Sequence, residues 1–171
     1  MQIKKFDSFY AQHLFVYEHI LYLITPIESF YPNLSNWYRD KFIPGLFSKE
    51  RGYILATEND EIVGCALLKK TAEEKKISTL FVRPDYRKKG LGRKLLNMAL
   101  KELGGASSLT VSEECLPSMN SLLKQSGFSL FDVKTGLYRK GKKEYLFRQK
   151  EEKIVAKKRA IKPRTHTKTQ G

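Results

Sequence analysis

One stretch near the middle of the chain constrains the fold more than any other. A short apolar strand, a proline break, a basic turn with two glycines and an amphipathic helix follow one another directly. Residues 77–82 are rich in β-branched and aromatic side chains, which predicts a buried strand. Pro84 has no amide donor and biases Arg83 towards extended backbone, so the strand should end there. Apolar residues then recur at helical spacing over 91–103, and Gly104 supplies a natural stop.

The turn between this strand and this helix has the properties of an anion site. The first turn of a helix carries N–H groups without intrahelical partners and the positive end of the helix dipole. Gly90 and Gly92 lack a Cβ atom, so a bulky anion can approach the backbone closely. Five cationic side chains surround the turn, namely Arg87, Lys88, Lys89, Arg93 and Lys94. Phosphate matches such a site. The alternative is a solvated basic turn before an ordinary core helix, which the combination of features disfavours.

At these residues the chain resembles the GCN5-related N-acetyltransferase (GNAT) superfamily. The family signature Arg/Gln-x-x-Gly-x-Gly/Ala reads here Arg87-Lys88-Lys89-Gly90-Leu91-Gly92. Leu80-Phe81-Val82 before it and Gly127-Phe128 after the next helix match too, and the family's order of elements extends from Gly52 to about Arg148. The resemblance implies an α/β (α+β) fold, in which a mixed, mostly antiparallel sheet of six to seven strands is splayed at the signature strand and flanked by about four helices.

The same resemblance implies acetyl-CoA as co-substrate and N-acetyltransfer to a primary amine as the reaction. Backbone groups of the signature strand would pair with the pantetheine arm, and the basic turn would wrap the pyrophosphate. A backbone N–H near Val82 would polarise the thioester carbonyl. The implied cofactor-binding residues are Leu80, Phe81, Val82, Arg87, Lys88, Lys89, Gly90, Leu91, Gly92 and Arg93.

The residues that would move protons are harder to assign. Family members often place a tyrosine acid in the helix before Gly-Phe, but that position is Leu123 here. Tyr138, on a predicted late strand, is the nearest alternative acid, although it could simply pack against the sheet. Glu113 and Glu114 follow the short strand 108–112, which should splay away from the signature strand. They are candidate bases, or else solvated acids that cap the next helix.

Composition sets the remaining expectations. A length of 171 residues suits one domain. The two cysteines, Cys65 and Cys115, are far apart in sequence, which suggests a reducing compartment without a disulfide framework. The three histidines show no metal-ligand spacing, so no metal site is expected. No apolar run reaches the length of a membrane span and no signal peptide is evident, so a cytoplasmic protein that does not enter a membrane is expected.

The formal net charge of +14 is the second compositional signal. We expect an acetyltransferase domain over 1–148 and a disordered tail over 149–171, where eight Lys or Arg face two Glu, a formal charge of +6. The tail is either a solvated end or an arm for tRNA or another polyanion. The acceptor stays open between aminoacyl-tRNA, a protein amine and a small amine. The alternative function is a non-catalytic protein that binds acetyl-CoA and nucleic acid, and a homodimer is also open.

Overall fold

The computed structural model describes residues 1–6 and 14–150. These residues form one mixed β-sheet with helices packed on it. Its seven strands are β1 (Gln2–Phe6), β2 (Arg51–Glu58), β3 (Glu61–Lys70), β4 (Lys75–Val82), β5 (Ser108–Ser112), β6 (Phe128–Thr135) and β7 (Lys143–Gln149). Their order across the sheet is β1-β2-β3-β4-β5-β7-β6. Neighbouring strands are antiparallel except β4 and β5, which are parallel.

Helices cover both faces of the sheet. The α-helices are α1 (Leu14–Ile24), α2 (Leu34–Trp37), α3 (Ile43–Phe47), α4 (Leu91–Leu103) and α5 (Leu116–Gln125). A π-helical turn over Tyr38–Phe42 joins α2 to α3, so residues 34–47 form one helical segment. One core lies between the sheet and α1–α3, and it includes Tyr38 and Phe42. The other lies between the sheet and α4 and α5, and it includes Leu95 and Leu123.

The sheet opens between β4 and β5. The two strands share a single paired position, Lys76 with Ser108, near their N-terminal ends. Directly after it β4 has a bulge, because Leu68 pairs with Ile77 whereas Leu67 pairs with Thr79, which leaves Ser78 without a partner. A bulge bends its strand and increases the local twist. The strands therefore diverge towards Val82 and Ser112, and we call the space between their C-terminal halves the wedge.

The fold predicted from the sequence is confirmed, including the splayed signature strand. The short strand 108–112 lies where predicted, and a helix precedes Gly127-Phe128 as expected. The late strand predicted to hold Tyr138 begins further along the chain than expected, because β7 starts at Lys143. Residues 136–142 instead form a connection with positive φ angles at Gly136 and Gly141. Tyr138 is therefore a loop residue and not a strand residue.

The predicted tail lies outside the described residues from residue 151 onwards. Of residues 1–6 and 14–150, no helix is long and apolar enough to cross a membrane.

Candidate active site

The wedge exposes backbone groups of β4. Pairing of β3 with β4 runs through Cys65 opposite Phe81, and the Arg83 N–H donates to the Val63 carbonyl at 3.0 Å. In an antiparallel pair, alternate residues direct their N–H and C=O groups to the partner. Phe81 therefore bonds towards β3, whereas the backbone groups of Leu80 and Val82 face the wedge. Of the three strand residues in the cofactor prediction, these two have the orientation that backbone pairing with a ligand requires.

The chain leaves β4 through a turn that Arg87 holds in place. The Arg87 Nε atom donates to the Val82 carbonyl at 2.9 Å, and the guanidinium lies 5.6 Å from the centre of the Phe81 ring. With the Val82 carbonyl occupied, the Val82 N–H remains directed into the wedge. Arg87 thus positions the turn against the end of the strand.

The turn presents a run of unused backbone donors. Between residues 14 and 150, no backbone carbonyl accepts a hydrogen bond from the N–H groups of residues 88–93, and the first such bond runs from Lys94 to Gly90 at 3.1 Å. Gly90 has a φ of 80°, and a Cβ added there would meet no atom within 4 Å. Six consecutive free donors at the start of α4 form an anion cradle. The backbone and the open space above Gly90 fit a pyrophosphate.

The basic side chains around the turn divide into two groups. Arg93 donates to the Gln125 side chain on α5 at 2.6 Å, and the Lys89 Nζ atom lies 5.3 Å from the centre of the Tyr86 ring. These contacts anchor the turn. Lys88 and Lys94 are exposed. The second pair is therefore available to supply positive charge to an anion at the turn.

The opposite edge of the wedge is lined by tyrosines. The Ser112 N–H, which faces β4, donates to the Tyr31 hydroxyl at 3.2 Å. The Tyr31 and Tyr138 rings meet edge to face with their centres 5.4 Å apart. Burial, followed by the charge of Glu144, raises the pKa of Tyr138, and a hydrogen bond to the Thr110 side chain partly offsets this. The two tyrosines cover the β5 side of the wedge.

A buried carboxylate lies in the same cluster. Glu144, on β7, is paired with Ser112 on β5, and both side chains are fully buried. Neither carboxylate oxygen of Glu144 nor the Ser112 Oγ atom has a hydrogen-bond partner in the described structure. Burial raises the pKa of Glu144 to about 7, against a lowering by Arg139.

The structure places Glu113 and Glu114 in ion pairs with the connection 136–142. Glu114 forms a two-pronged contact with Arg139 at 2.6 and 2.9 Å, and the hydrogen bonds from Arg139 lower the pKa of Glu114 to about 2. Glu113 lies 2.7 Å from Lys142 and accepts from the Lys143 N–H at 3.0 Å, and the Lys142 contact lowers its pKa as well. Both groups are weak bases in this arrangement. That either takes a proton in the reaction stays a prediction.

Sequence reasoning missed Glu144, and it did not single out Tyr31 from the other aromatic residues of the first helical region. Glu144 lies between Lys143 and Tyr145, a sequence typical of a solvent-exposed strand, and nothing in the local sequence indicates that Glu144 is buried. Only the register that pairs it with Ser112 reveals its position. The departure at Leu123 is real, because that side chain is fully buried in the core under α5 and has no acidic proton. Among the described residues, no group of three or more His, Cys, Asp or Glu side chains could hold a metal ion.

Comparison with known proteins adds a family match. The model of the acetyltransferase (GNAT) family matches residues 17–128. No curated protein sequence matches the chain. Solved structures with the same fold include an aminoglycoside 6'-N-acetyltransferase from Enterococcus faecium, with 16% identity, a TM-score of 0.65, and coverage of 87% of this chain and 96% of that one.

Two other solved structures are equally similar. The ribosomal-protein-S18-alanine N-acetyltransferase from Escherichia coli has 15% identity and a TM-score of 0.64, over 86% of this chain and 93% of that one. The PaiA N-acetyltransferase from Thermoplasma acidophilum, solved with coenzyme A, has 16% identity and a TM-score of 0.61, over 88% and 99%. At these identities the likeness concerns the fold. The names of the first two proteins state different acceptors, an aminoglycoside and an alanine of a ribosomal protein.

Proposed function

Because the chain belongs to the GNAT family of acetyltransferases, we propose that it transfers an acetyl group from acetyl-CoA to a primary amine. The observation that carries the proposal is the run of free N–H groups over residues 88–93, at the end of a strand whose edge is open. A binding module without a pyrophosphate ligand would have no use for this run. The wedge beside it supplies backbone donors and acceptors where the rest of the co-substrate would lie.

Different residues along the wedge are proposed to bind different parts of acetyl-CoA. The turn 88–93 binds the pyrophosphate, and the backbone of Leu80 and Val82 orients the pantetheine arm. When bound, acetyl-CoA supplies an acetyl group activated as a thioester. The Val82 N–H, which points into the wedge, is the proposed donor to the thioester carbonyl oxygen, and a positioned backbone donor of this kind stabilises developing negative charge.

Tyr138 is the proposed general acid that protonates the departing thiolate. The residue is 42% exposed, and its ring lies at the β5 edge of the wedge against Tyr31. The raised pKa of its hydroxyl keeps it protonated at neutral pH, as an acid must be before the step. The family's usual position cannot supply this proton here, since Leu123 occupies it.

The acceptor is an aminoacyl-tRNA, a protein amine or a small amine. The net charge of +14 supports a polyanionic partner such as tRNA. Both cysteines are free thiols, which supports a reducing compartment such as the cytoplasm. Homodimerisation stays a prediction that sedimentation would test.

The test is acetyl transfer from radiolabelled acetyl-CoA into a total cell extract that is then separated into RNA, protein and small-molecule fractions. Label in RNA that base treatment removes would identify an aminoacyl-tRNA, and label in another fraction would identify that class. A chain that ends at Lys150 keeps β7 intact and removes the basic tail. It should lose transfer to RNA, with the largest difference from the full chain at low salt, while transfer to a small amine is unchanged.

The alternative, a protein that binds acetyl-CoA and nucleic acid without catalysis, predicts binding of acetyl-CoA and no label in any fraction. The absence of the family's tyrosine at Leu123 is the observation in its favour. The tyrosine and carboxylate cluster on the β5 edge favours catalysis instead, because it provides groups that can move protons beside the wedge.

A further inference from the structure

We propose that Glu144 accepts the proton of the incoming amine, so that this site takes a primary amine that arrives as its ammonium ion. The proposal rests on the proposed function and names a residue and a substrate charge state that the family match does not give. It is carried by the position of Glu144 and by its unpaired oxygens.

Glu144 occupies the acceptor side of the wedge. It faces Ser112 across the β5–β7 pair, at the end of the strand that diverges from β4. Its side chain lies on the sheet face of Ser112 and Thr110, because paired residues of antiparallel strands share a face and alternate residues return to it. Tyr31 and Tyr138 lie over that face, since one contacts the Ser112 N–H and the other Thr110.

The polar atoms of this pair lack partners. A buried carboxylate without hydrogen bonds is costly, and native structures rarely leave one in that state unless it has a function. Both Glu144 oxygens and the Ser112 hydroxyl are unpaired in the described residues. An ammonium group offers three N–H donors and a positive charge, which the carboxylate needs.

The nearby charges offset the burial of Glu144 only in part, since Arg139 lowers its pKa but does not hydrogen-bond to it. The terminal nitrogens of Arg139 bind Glu114 and its buried Nε atom has no partner in the described structure, while Lys142 is shared between Glu113 and Glu114. Glu113 and Glu114 themselves raise the pKa of Glu144, and Tyr31 and Tyr138 are the other titratable groups that it influences. The value of about 7 that burial produces suits a group that gains and loses a proton at neutral pH.

The proton movements balance. Ionised Glu144 takes one proton from the ammonium ion, which frees the nitrogen lone pair. The new N–C bond forms as the C–S bond to the acetyl group breaks, and the sulfur receives the proton of the Tyr138 hydroxyl. The nitrogen loses a second proton as it becomes an amide, and this proton restores Tyr138. Glu144 then releases its proton to solvent.

Two small amines of similar shape test this role. Ethylamine is an ammonium ion at neutral pH, whereas 2,2,2-trifluoroethylamine is largely neutral. In Glu144→Gln, transfer to ethylamine should fall about a hundredfold relative to the unmodified protein, and transfer to trifluoroethylamine should fall far less. Asp132→Asn, which changes an exposed carboxylate on the neighbouring strand, should alter neither rate. Calorimetry should find the same acetyl-CoA affinity in all three proteins.

An equal fall with both amines would overturn the proposal, because it would mean that Glu144 supports the site only structurally. Unchanged rates would overturn it as well. If the unmodified protein bound no acetyl-CoA, the proposed function itself would fail, which calorimetry distinguishes from failure of Glu144 alone.

A second measurement decides the matter if neither amine is acetylated. Carbon-13 NMR of glutamate-labelled protein, with the Glu144 signal assigned through Glu144→Gln, gives the pKa of this carboxyl with coenzyme A bound. The proposal expects a raised pKa that ethylammonium chloride lowers, because the cation stabilises the ionised form. An ordinary pKa, or a raised one that ethylammonium leaves unchanged, would contradict it.

Discussion

The two edges of the wedge are built in different ways. The β4 edge and its turn come from one continuous stretch, residues 80–93, and act through backbone groups and positive charge. The β5 edge is assembled from Tyr31, Ser112, Tyr138 and Glu144, which lie far apart in sequence and act through side chains. The first edge suits a ligand part that every family member shares. The second can change residue by residue, which is where the choice of acceptor would lie.

The electrostatics differ in the same sense. Residues 87–94 include five cations and no acid, and the N–H groups of residues 88–93 have no backbone acceptor within the described part of the chain. On the other edge, Glu113 and Glu114 are paired with cations, whereas Glu144 is buried and has no hydrogen-bond partner among the described residues. Variants that separate binding of the co-substrate from proton movement therefore test whether the two edges are independent.

The largest expected effect is at Gly90. Because its φ is 80°, both Asp and Asn can adopt the backbone there, and the two differ mainly in charge. Gly90→Asp places a carboxylate against a pyrophosphate and should weaken acetyl-CoA binding by about a hundredfold or more. Gly90→Asn should stay within about threefold of the unmodified protein. Isothermal titration calorimetry measures both.

Gly141→Asp is the control for this pair. Gly141 also has a positive φ, 73°, and open space around it, but it lies in the connection before β7. Its acetyl-CoA affinity should be unchanged. Equal acetyl-CoA affinities for Gly90→Asp and Gly90→Asn would contradict the assignment of the pyrophosphate site to this turn.

The contrast between the edges also explains what the sequence could reveal. The bulk of the fold and the whole turn follow from local signals, such as the Pro84 break, the glycines at 90 and 92, and the helical spacing after them. The alternation that directs Leu80 and Val82 into the wedge needs the register with β3. The Glu144 cluster needs the pairing of β5 with β7 and the approach of Tyr31 from another layer, and no local pattern encodes those contacts.

The next largest effect is expected for Tyr138→Phe. The substitution keeps the ring that packs against Tyr31 and removes only the hydroxyl. If Tyr138 protonates the leaving thiolate, kcat should fall roughly ten- to a hundredfold, with the acetyl-CoA Kd unchanged. Steady-state kinetics with the acceptor found in the extract experiment, together with calorimetry, measures this. If kcat were the same as in the unmodified protein, Tyr138 would have only a packing role.

A smaller effect is expected for Glu114→Gln, which weakens the contact that holds the connection 136–142. Such exposed ion pairs contribute little, so the acceptor KM should rise only about threefold, with faster amide hydrogen exchange over 137–142. Because the pKa of Glu114 is lowered to about 2, the contribution of this pair to stability is present above pH 4.5 and is lost as the pH falls towards 2. Asp132→Asn, which changes an exposed carboxylate on β6, should leave KM unchanged. A larger loss in kcat than in KM would instead favour a direct role for Glu114.

The smallest expected effect is a change in stability at Glu144, the buried carboxylate that distinguishes the β5 edge from the β4 edge. The pKa of Glu144 in the folded protein, about 7, is above its ordinary value of 4.5. The stability that this group contributes is therefore fully present below pH 4.5 and is lost as the pH rises through 7. Glutamine does not titrate, so Glu144→Gln should melt close to the unmodified protein at pH 5 and higher by roughly 3–6 °C at pH 8.

Scanning calorimetry across this pH range measures the difference, with Asp132→Asn as a variant whose melting temperature should follow the unmodified protein at every pH. A difference that does not change with pH would mean that Glu144 is not a buried, titrating carboxylate. If Glu144→Gln is more stable at pH 8 and yet transfers acetyl groups more slowly to ethylamine, then Glu144 serves the reaction at a cost to the stability of the fold. Gly90→Asp should show the opposite pattern. It should lose acetyl-CoA binding, and its melting temperature should not rise relative to the unmodified protein as the pH is raised. The reason is that the β4 edge acts through exposed backbone groups and contains no buried carboxylate among the described residues.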